Sequence, residues 1–264
     1  MNRKSRLTKN IQLTSNILKY LTNENNGFQF QNYIKIAANK LAIFGYNKIE
    51  LDSVFYKNIF LPKKRSNQGL NDNDLYIEST KEQIGLIKEF YEFNESSKIL
   101  DFGCGQGRFV NGLNFYHIDF LSYIGLDIDI YSIAWCEKWL ANEKVNFIYW
   151  PAYNARYNTN AEKIEKLPFK NNFFDLIFLN SVFSHMLTND IIFYLRDFRK
   201  KIQSNGIIYL TAFIENDVSN CEENPDNYLG SLPDHNKVLL RVRYNKNYIF
   251  DIFEQSGFTI KFWS

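Results

Sequence analysis

From residue 79 onward, short apolar runs alternate with stretches whose apolar positions recur at helical spacing. The apolar runs predict strands over 98–101, 123–127, 145–150, 174–180, 206–213 and 259–263. Between them the periodicity predicts helices over 80–93 (capped by Ser79 or Thr80), over 107–116, through Trp135 and Leu140, and over 189–203 and 248–255. Strands joined through helices need crossover connections, and a crossover returns the chain parallel to its start. The expected class is α/β, a mostly parallel sheet with helices on both faces. In such sheets a ligand sits beyond the carboxyl ends of the strands, where strand order reverses.

The first 78 residues read differently. Ile11, Leu13, Ile17, Leu18 and Leu21 recur at helical spacing, and Tyr33, Ile34, Ile36, Ala37, Leu41 and Phe44 do so again before Gly45. The polar stretch 63–74, with Gly69 and several Asn and Asp, reads as a loop. Residues 1–78 are expected to form an N-terminal helical cap or substrate segment, and residues 79–264 the ligand-binding domain.

Composition narrows the choice. The 264 residues are 45% hydrophobic and 23% charged, enough for one well-filled core. With 31 basic and 29 acidic side chains, no strong field attracts nucleic acid or an anionic membrane, so neither is an expected partner. Cys104, Cys136 and Cys221 are odd in number and widely spaced, which indicates neither a disulfide framework nor a zinc knuckle. No metal is expected. No window holds the roughly 18 apolar residues of a membrane span. No apolar signal core follows the basic first ten residues, and a soluble cytoplasmic protein is expected. Abundant Phe and Tyr would suit a stacking surface, yet codon bias and ordinary burial explain them as well.

The chemistry is concentrated in the run Lys98-Ile-Leu-Asp101-Phe-Gly103-Cys-Gly105-Gln-Gly107-Arg108. Its glycines let the backbone turn tightly and approach a ligand more closely than any Cβ would allow. The helix that follows presents free N–H groups suited to a carboxylate, and Asp101 can anchor the turn and help hold an ammonium group. A ligand carrying both an amine and a carboxylate fits. Asp127 closes the second strand 26 residues later, where a carboxylate can accept both hydroxyls of a ribose. The base of such a ligand would lie against Ile128 and the loop after the third strand. Arg108 stands where a dinucleotide motif has its third glycine, so the spacing is not that of a dinucleotide fold.

Over about residues 96–215 the chain resembles the class I S-adenosylmethionine-dependent methyltransferases. Three stretches are similar to a bacterial subgroup that often acts on glycans or small molecules: Ile133-Ala-Trp135-Cys136, Tyr153-Asn154-Ala-Arg-Tyr157-Asn158, and the segment from Phe174 through Asn180-Ser181 to His185-Met186. The resemblance implies a Rossmann-like fold, with S-adenosylmethionine as cofactor and S-adenosylhomocysteine as product. It implies donor contacts from Asp101, Gly103, Cys104, Gly105, Gly107, Asp127, Ile128, Ala152, Asn154, Asn180 and Ser181. The acceptor it implies is a small hydroxylated molecule.

Departures from the family pattern carry expectations of their own. Pro151-Ala152 stands where the family has an acid for the adenine amine, which passes that contact to Asn154 or to backbone. The usual Pro-Gly-Gly turn is replaced by Ser204-Asn205-Gly206, with Asn tolerating a left-handed conformation. The family fold ends in an antiparallel pair of strands, whereas this chain stops at Ser264, directly after the expected sixth strand. The C-terminal strand pair is therefore expected to be truncated. Residues 238–242, the N-terminal region or a second subunit would then complete the sheet, leaving homo-oligomer or partner pairing through the C-terminal edge open.

Two histidines are candidate general bases, because an imidazole titrates near neutrality. His185 follows the fourth strand, near the expected methyl position, although a capping or packing role fits the same place. His235 lies in a later loop. His117 reads as structural, and Trp135 as either an adenine neighbour or a packing residue. Cys104 has no evident activating base and reads as a small turn residue. Beside small-molecule methylation stand two alternatives: a macromolecule methyltransferase, and a non-catalytic subunit that keeps the fold. Asn180-Ser-Val-Phe differs from the Asn-Pro-Pro-Tyr of base amino-methylation, which argues against the nucleic-acid form of the first.

Overall fold

The structure, a computed structural model, describes residues 3–46, 51–65, 71–154, 157, 158, 161, 165–225 and 241–264. Its centre is a five-stranded parallel sheet built from β3 (Lys98–Phe102), β4 (Ser122–Asp127), β5 (Val145–Tyr149), β6 (Phe174–Leu179) and β7 (Ile202–Leu210) in the order β5-β4-β3-β6-β7. The remaining strands are β1 (Ser53–Tyr56), β2 (Ile59–Pro62), β8 (Phe213–Glu215), β9 (Cys221–Glu223) and β10 (Val242–Asn245). From β3 the chain steps outward to β4 and β5, then returns past β3 to β6 and β7. Strand order therefore reverses between β3 and β6, where a crevice opens.

Alternation along the strands divides the core into two layers. Ile99, Tyr123 and Phe147 face α3 (Asn73–Lys88), α4 (Arg108–Phe115) and α5 (Ile130–Trp139), against Ile84, Val110, Leu113 and Trp135. Leu100, Ile124 and Ile148 face the other way, toward α6 (Thr188–Lys201) and α7 (Lys246–Gln255), against Leu195, Phe198, Ile249 and Phe253. All of these are buried. The class is Rossmann-like α/β with helices on both faces.

The N-terminal helices α1 (Arg3–Thr22) and α2 (Tyr33–Tyr46) occupy the β5 side of the sheet. Helix α2 places Ile36 in one layer and Ile43 in the other, and Asn39 Nδ2 donates to the Tyr149 carbonyl at 2.9 Å. It thus closes an edge strand that would otherwise present open backbone. The segment 1–78 also contains the antiparallel hairpin β1–β2, which its sequence pattern does not announce. Helix α3 starts at Asn73, capped by Asp72, whose carboxylate accepts from Leu75 N. The expected caps Ser79 and Thr80 lie inside the helix, and the boundary expected at residue 78 falls within it.

The C-terminal expectations need correction. Residues 259–263 form no strand: Phe258 N donates to Phe253 O, and Trp263 packs against Phe250 with the Lys246 ammonium 3.9 Å from its ring. Trp263 thus packs on α7, and Phe262 packs against Phe90, just beyond α3. In place of an antiparallel pair there is a small three-stranded sheet, in which β10 pairs parallel with β8 and antiparallel with β9. Arg243 ties it together by ion pairs to Glu215 and Glu222. Of the substitute strand expected at 238–242, only residues 241 and 242 lie among the described residues, and Val242 belongs to this small sheet. Among the described residues β7 is the edge of the main sheet. Strand β7 also begins at Ile202 rather than 206, with an irregularity opposite Phe174–Leu176 that absorbs Ser204-Asn205-Gly206. Asn205 takes no left-handed conformation. Among the described residues no helix is long and apolar enough to cross a membrane.

Candidate active site

At the crevice a cavity of about 250 Å3 opens beyond the carboxyl ends of β3, β4 and β5. Its floor is the glycine turn. Gly103, Gly105 and Gly107 have φ of +80°, +51° and +69°, the left-handed region in which a side chain is strained. A Cβ on Gly103 would lie 2.5 Å from Val182 Cγ2, so the turn and the loop after β6 meet as closely as backbone permits. Gly107 caps α4 and packs toward Leu140 and Cys136, outside the cavity lining.

The turn is strapped to β4. Gly103 N and Cys104 N both donate to the Leu126 carbonyl, at 2.8 and 3.1 Å. Gly105 N donates to Asp127 Oδ2 at 2.7 Å, and Asp129 N to Oδ1 of the same carboxylate at 2.8 Å. Asp129 is itself occupied as the cap of α5, accepting from Tyr131 N, Ser132 N and Ser132 Oγ. Burial pushes Asp127 up to about 6, against the opposing pull of the Asp129 and Gly105 N–H groups. Asp101 is more enclosed: burial pushes it up to about 7, while the Tyr123 hydroxyl donates to its Oδ2 and opposes the rise. Burial also pushes the thiols of Cys104 and Cys136 up, leaving them neutral and poor nucleophiles.

The far wall comes from the segments after β5 and β6. Asn180 and Ser181 stand at the end of β6. Gln83 Nε2 donates to Asn180 Oδ1 at 2.8 Å, fixing the amide from α3. Ser181 has φ +58° and donates its N–H to Thr211 Oγ1 at 2.7 Å, a strained position at a functional edge. The two segments are joined by Asn154 Nδ2, which donates to the His185 carbonyl at 3.3 Å. Tyr157 stands edge-on to the His185 ring, with centroids 5.7 Å apart. Asn158 Nδ2 donates to Ala152 O at 3.1 Å and holds the loop in place.

The structure thus brings Asp101, Gly103, Cys104, Gly105, Asp127 and Ile128 around one cavity with Ala152, Asn154, Asn180, Ser181 and His185. His235 lies outside the described residues. Trp135 stays away from the cavity: it is buried and donates to the Asp52 carbonyl, anchoring the β1–β2 hairpin on α5. Sequence reasoning assigned no role to Arg108, Tyr157, Trp150 or Tyr194, all of which line the cavity. Arg108 was signalled by its place immediately after the glycine turn; its Nη1 lies 3.5 Å from Ser79 Oγ. Among the described residues the cavity lining runs from Asp101 to Tyr194. Among the described residues no three His, Cys, Asp or Glu side chains gather as metal ligands.

Fold and site together define a Rossmann-like domain with a ligand cavity at its switch point. Residues 100–210, which span most of the main sheet and almost all of the cavity, match the family described as a methyltransferase domain. Among solved structures, the chain is similar to an S-adenosylmethionine-dependent methyltransferase from Leishmania major, at 16% identity and a TM-score of 0.48 over 71% of this chain and 64% of that one. The chain therefore spans less than two thirds of that protein's length. It is also similar to a methyltransferase from Mesorhizobium loti (14% identity, TM-score 0.49, 70% of this chain and 84% of that one). A third is the Burkholderia thailandensis 1,6-didemethyltoxoflavin-N1-methyltransferase, solved with 1,6-didemethyltoxoflavin and S-adenosylhomocysteine (13% identity, TM-score 0.45, 71% and 69%). At these identities none assigns an acceptor to this chain.

Proposed function

We propose that the protein is an S-adenosylmethionine-dependent methyltransferase that methylates a small molecule, at a hydroxyl of a sugar or natural product, in the cytoplasm. The observation that carries the reading is the convergence of Asp101, the glycine turn and Asp127 on one cavity at the reversal of strand order. The methyltransferase-domain match over 100–210 supports it.

The residues present fit the cofactor. Gly103 and Gly105 turn through the left-handed region and line the cavity, so main chain rather than side chain faces a ligand there. Asp101 suits the ammonium, and Arg108, with no ion pair among the described residues, suits the carboxylate. Asp127 suits the ribose diol, with Ile128, Ala152 and Asn154 at the base. When bound, S-adenosylmethionine supplies a methyl group activated by a sulfonium. The chain's own part is alignment, since in-line displacement depends on the placement of the nucleophile. His185, in the wall formed by the loop after β6, would take the acceptor's proton. Asn154 holds its backbone and Tyr157 flanks its ring.

Calorimetric titration with S-adenosylhomocysteine, repeated on Asp127→Ala, tests the reading. Affinity near micromolar, about −8 kcal/mol, that collapses in the variant supports it; well-folded protein that binds nothing overturns it. The position of β7 at the sheet edge among the described residues favours a second reading, a subunit that pairs with a partner through that edge without catalysis. That reading requires a monomer that never turns over the donor.

A further inference from the structure

Helix α2 is apolar on both sides, which is unusual for a helix at a protein surface. Its inward side places Ile36 and Ile43 in the core at 1% and 3% exposure. Its lysines and asparagine, Lys35, Asn39 and Lys40, are also turned to the body of the protein. Lys35 pairs with Glu165 and lies 4.4 Å from the Trp150 ring; Asn39 holds the Tyr149 carbonyl; Lys40 pairs with Glu137 and lies 4.0 Å from the Tyr20 ring. The outward half is left with Ile34, Ala38, Leu41, Ala42 and Phe44, with Phe30 one turn before them. Ile34 is 87% exposed and Phe30 83%; Phe44 and Leu41 are more than half and half exposed. At 100° per residue, Ile34, Ala38 and Leu41 fall on one stripe of α2, and Phe30 opens the 3-10 turn Phe30–Asn32 that leads into it.

A charged side chain on this stripe would keep the helix soluble. Instead the lysines of α2 are neutralised from within. We propose that this face is the contact between two copies of the chain, packed as an antiparallel pair of α2 helices across a two-fold axis near Ala38.

Three features favour a second copy over other occupants. The stripe is self-complementary: with the axis at Ala38, Ile34 of one protomer meets the Leu41–Ala42 region of its partner, as an isologous contact requires. The four large side chains expose on the order of 500 Å2 per protomer, a good part of the roughly 800 Å2 per partner in a standard interface. An anionic membrane surface would need cations flanking the apolar stripe, and Lys35 and Lys40 are paired with carboxylates. The arrangement also touches the cavity indirectly, because the helix that docks the partner holds Lys35 over Trp150, a lining residue.

Sedimentation equilibrium of the full chain from about 1 to 100 μM gives the primary test. A dimer is expected, with Ile34→Glu and Leu41→Glu each shifting the protein to monomer at tens of micromolar. Both positions are exposed in the protomer, so unchanged circular dichroism is expected. Ala38→Cys in a Cys221→Ser background gives a second, independent measurement: under mild oxidation it forms a disulfide-linked dimer that the Cys221→Ser parent, with Cys104 and Cys136 buried, does not. A wild-type protein that stays monomeric at 100 μM overturns the proposal. So does a dimer that survives both charge substitutions, since the interface would then lie elsewhere. A monomer that instead floats with phosphatidylglycerol vesicles also overturns it, naming a lipid surface as the occupant.

Discussion

Tyr123, on β4, donates its hydroxyl to Oδ2 of Asp101 on the neighbouring β3, beneath the glycine turn. Without that donor the burial of Asp101 would hold its proton more tightly still. Its pKa is raised to about 7, so in the ligand-free protein Asp101 is protonated below that value and ionised above it. An ammonium ligand needs the ionised form. Affinity for S-adenosylhomocysteine is therefore expected to climb as pH rises toward about 7 and to level off above. Tyr123→Phe removes a bond to the carboxylate, raises Asp101 further and moves the rise to higher pH; titration calorimetry across pH reads both. Stability runs in the opposite sense. The folded protein holds a proton that the unfolded chain releases at lower pH, so stability falls as pH climbs from the ordinary carboxylate range to about 7.

On the proposed reading Asp127 both straps the turn and receives the ribose, and its substitutions should separate the two. Its oxygens accept from Gly105 N and Asp129 N before any ligand arrives. Asp127→Ala is expected to lose nearly all donor affinity and also about 1–3 kcal/mol of stability, as two backbone donors lose their partner. Asp127→Asn keeps one acceptor oxygen and should fall between. Thermal melts beside calorimetry show the pattern, and a stable Asp127→Ala protein would mean that the strap contributes little.

Arg108→Gln is expected to weaken S-adenosylhomocysteine about tenfold or more, the scale of a charge-assisted hydrogen bond. Binding of 5′-methylthioadenosine, which lacks the amino-acid end, should be unchanged. Equal loss for both ligands would mean that Arg108 only supports the fold.

For catalysis, His185→Asn should lower kcat by roughly 100-fold or more once an acceptor is found, within the range for a lost general base. The acidic limb of the pH–rate profile should flatten. Affinity for S-adenosylhomocysteine should stay within a few-fold; a parallel loss of binding would make His185 a wall residue.

The central sheet was legible as short, mostly apolar runs, of which β3 and β4 meet Gly103 and Asp127 at their ends, while β7, with Gln203-Ser204-Asn205 near its start, was legible only from Gly206 on. Asp101, the glycines and Asp127 could be placed for the same reason, as strand ends locate them. Elsewhere pattern misled. Asn73 and Asp74 are polar and extend a loop-like stretch, yet they form the first turn of α3 because Asp72 caps it. The hairpin β1–β2 is short, and it is fixed by tertiary partners: Trp135 and Trp139 donate to the consecutive carbonyls of Asp52 and Leu51. Residues 259–263 have the composition of a strand, but Trp263 packs on Phe250 of α7 and Phe262 on Phe90, instead of their backbone pairing. Arg108 and Tyr157 reach the cavity through side-chain direction and loop geometry, which spacing alone does not encode.

A glycine-rich turn leading into a helix is a common seat for phosphates, whose charge its N–H groups welcome. Here the same turn is backed by Asp101 and fastened to the carboxylate of Asp127. Above about pH 7 both are ionised, so a polyphosphate drawn to the amides meets two negative charges at the turn. The proposed donor, a nucleoside that carries a cation and no phosphate, suits that pair of charges better than a polyphosphate does.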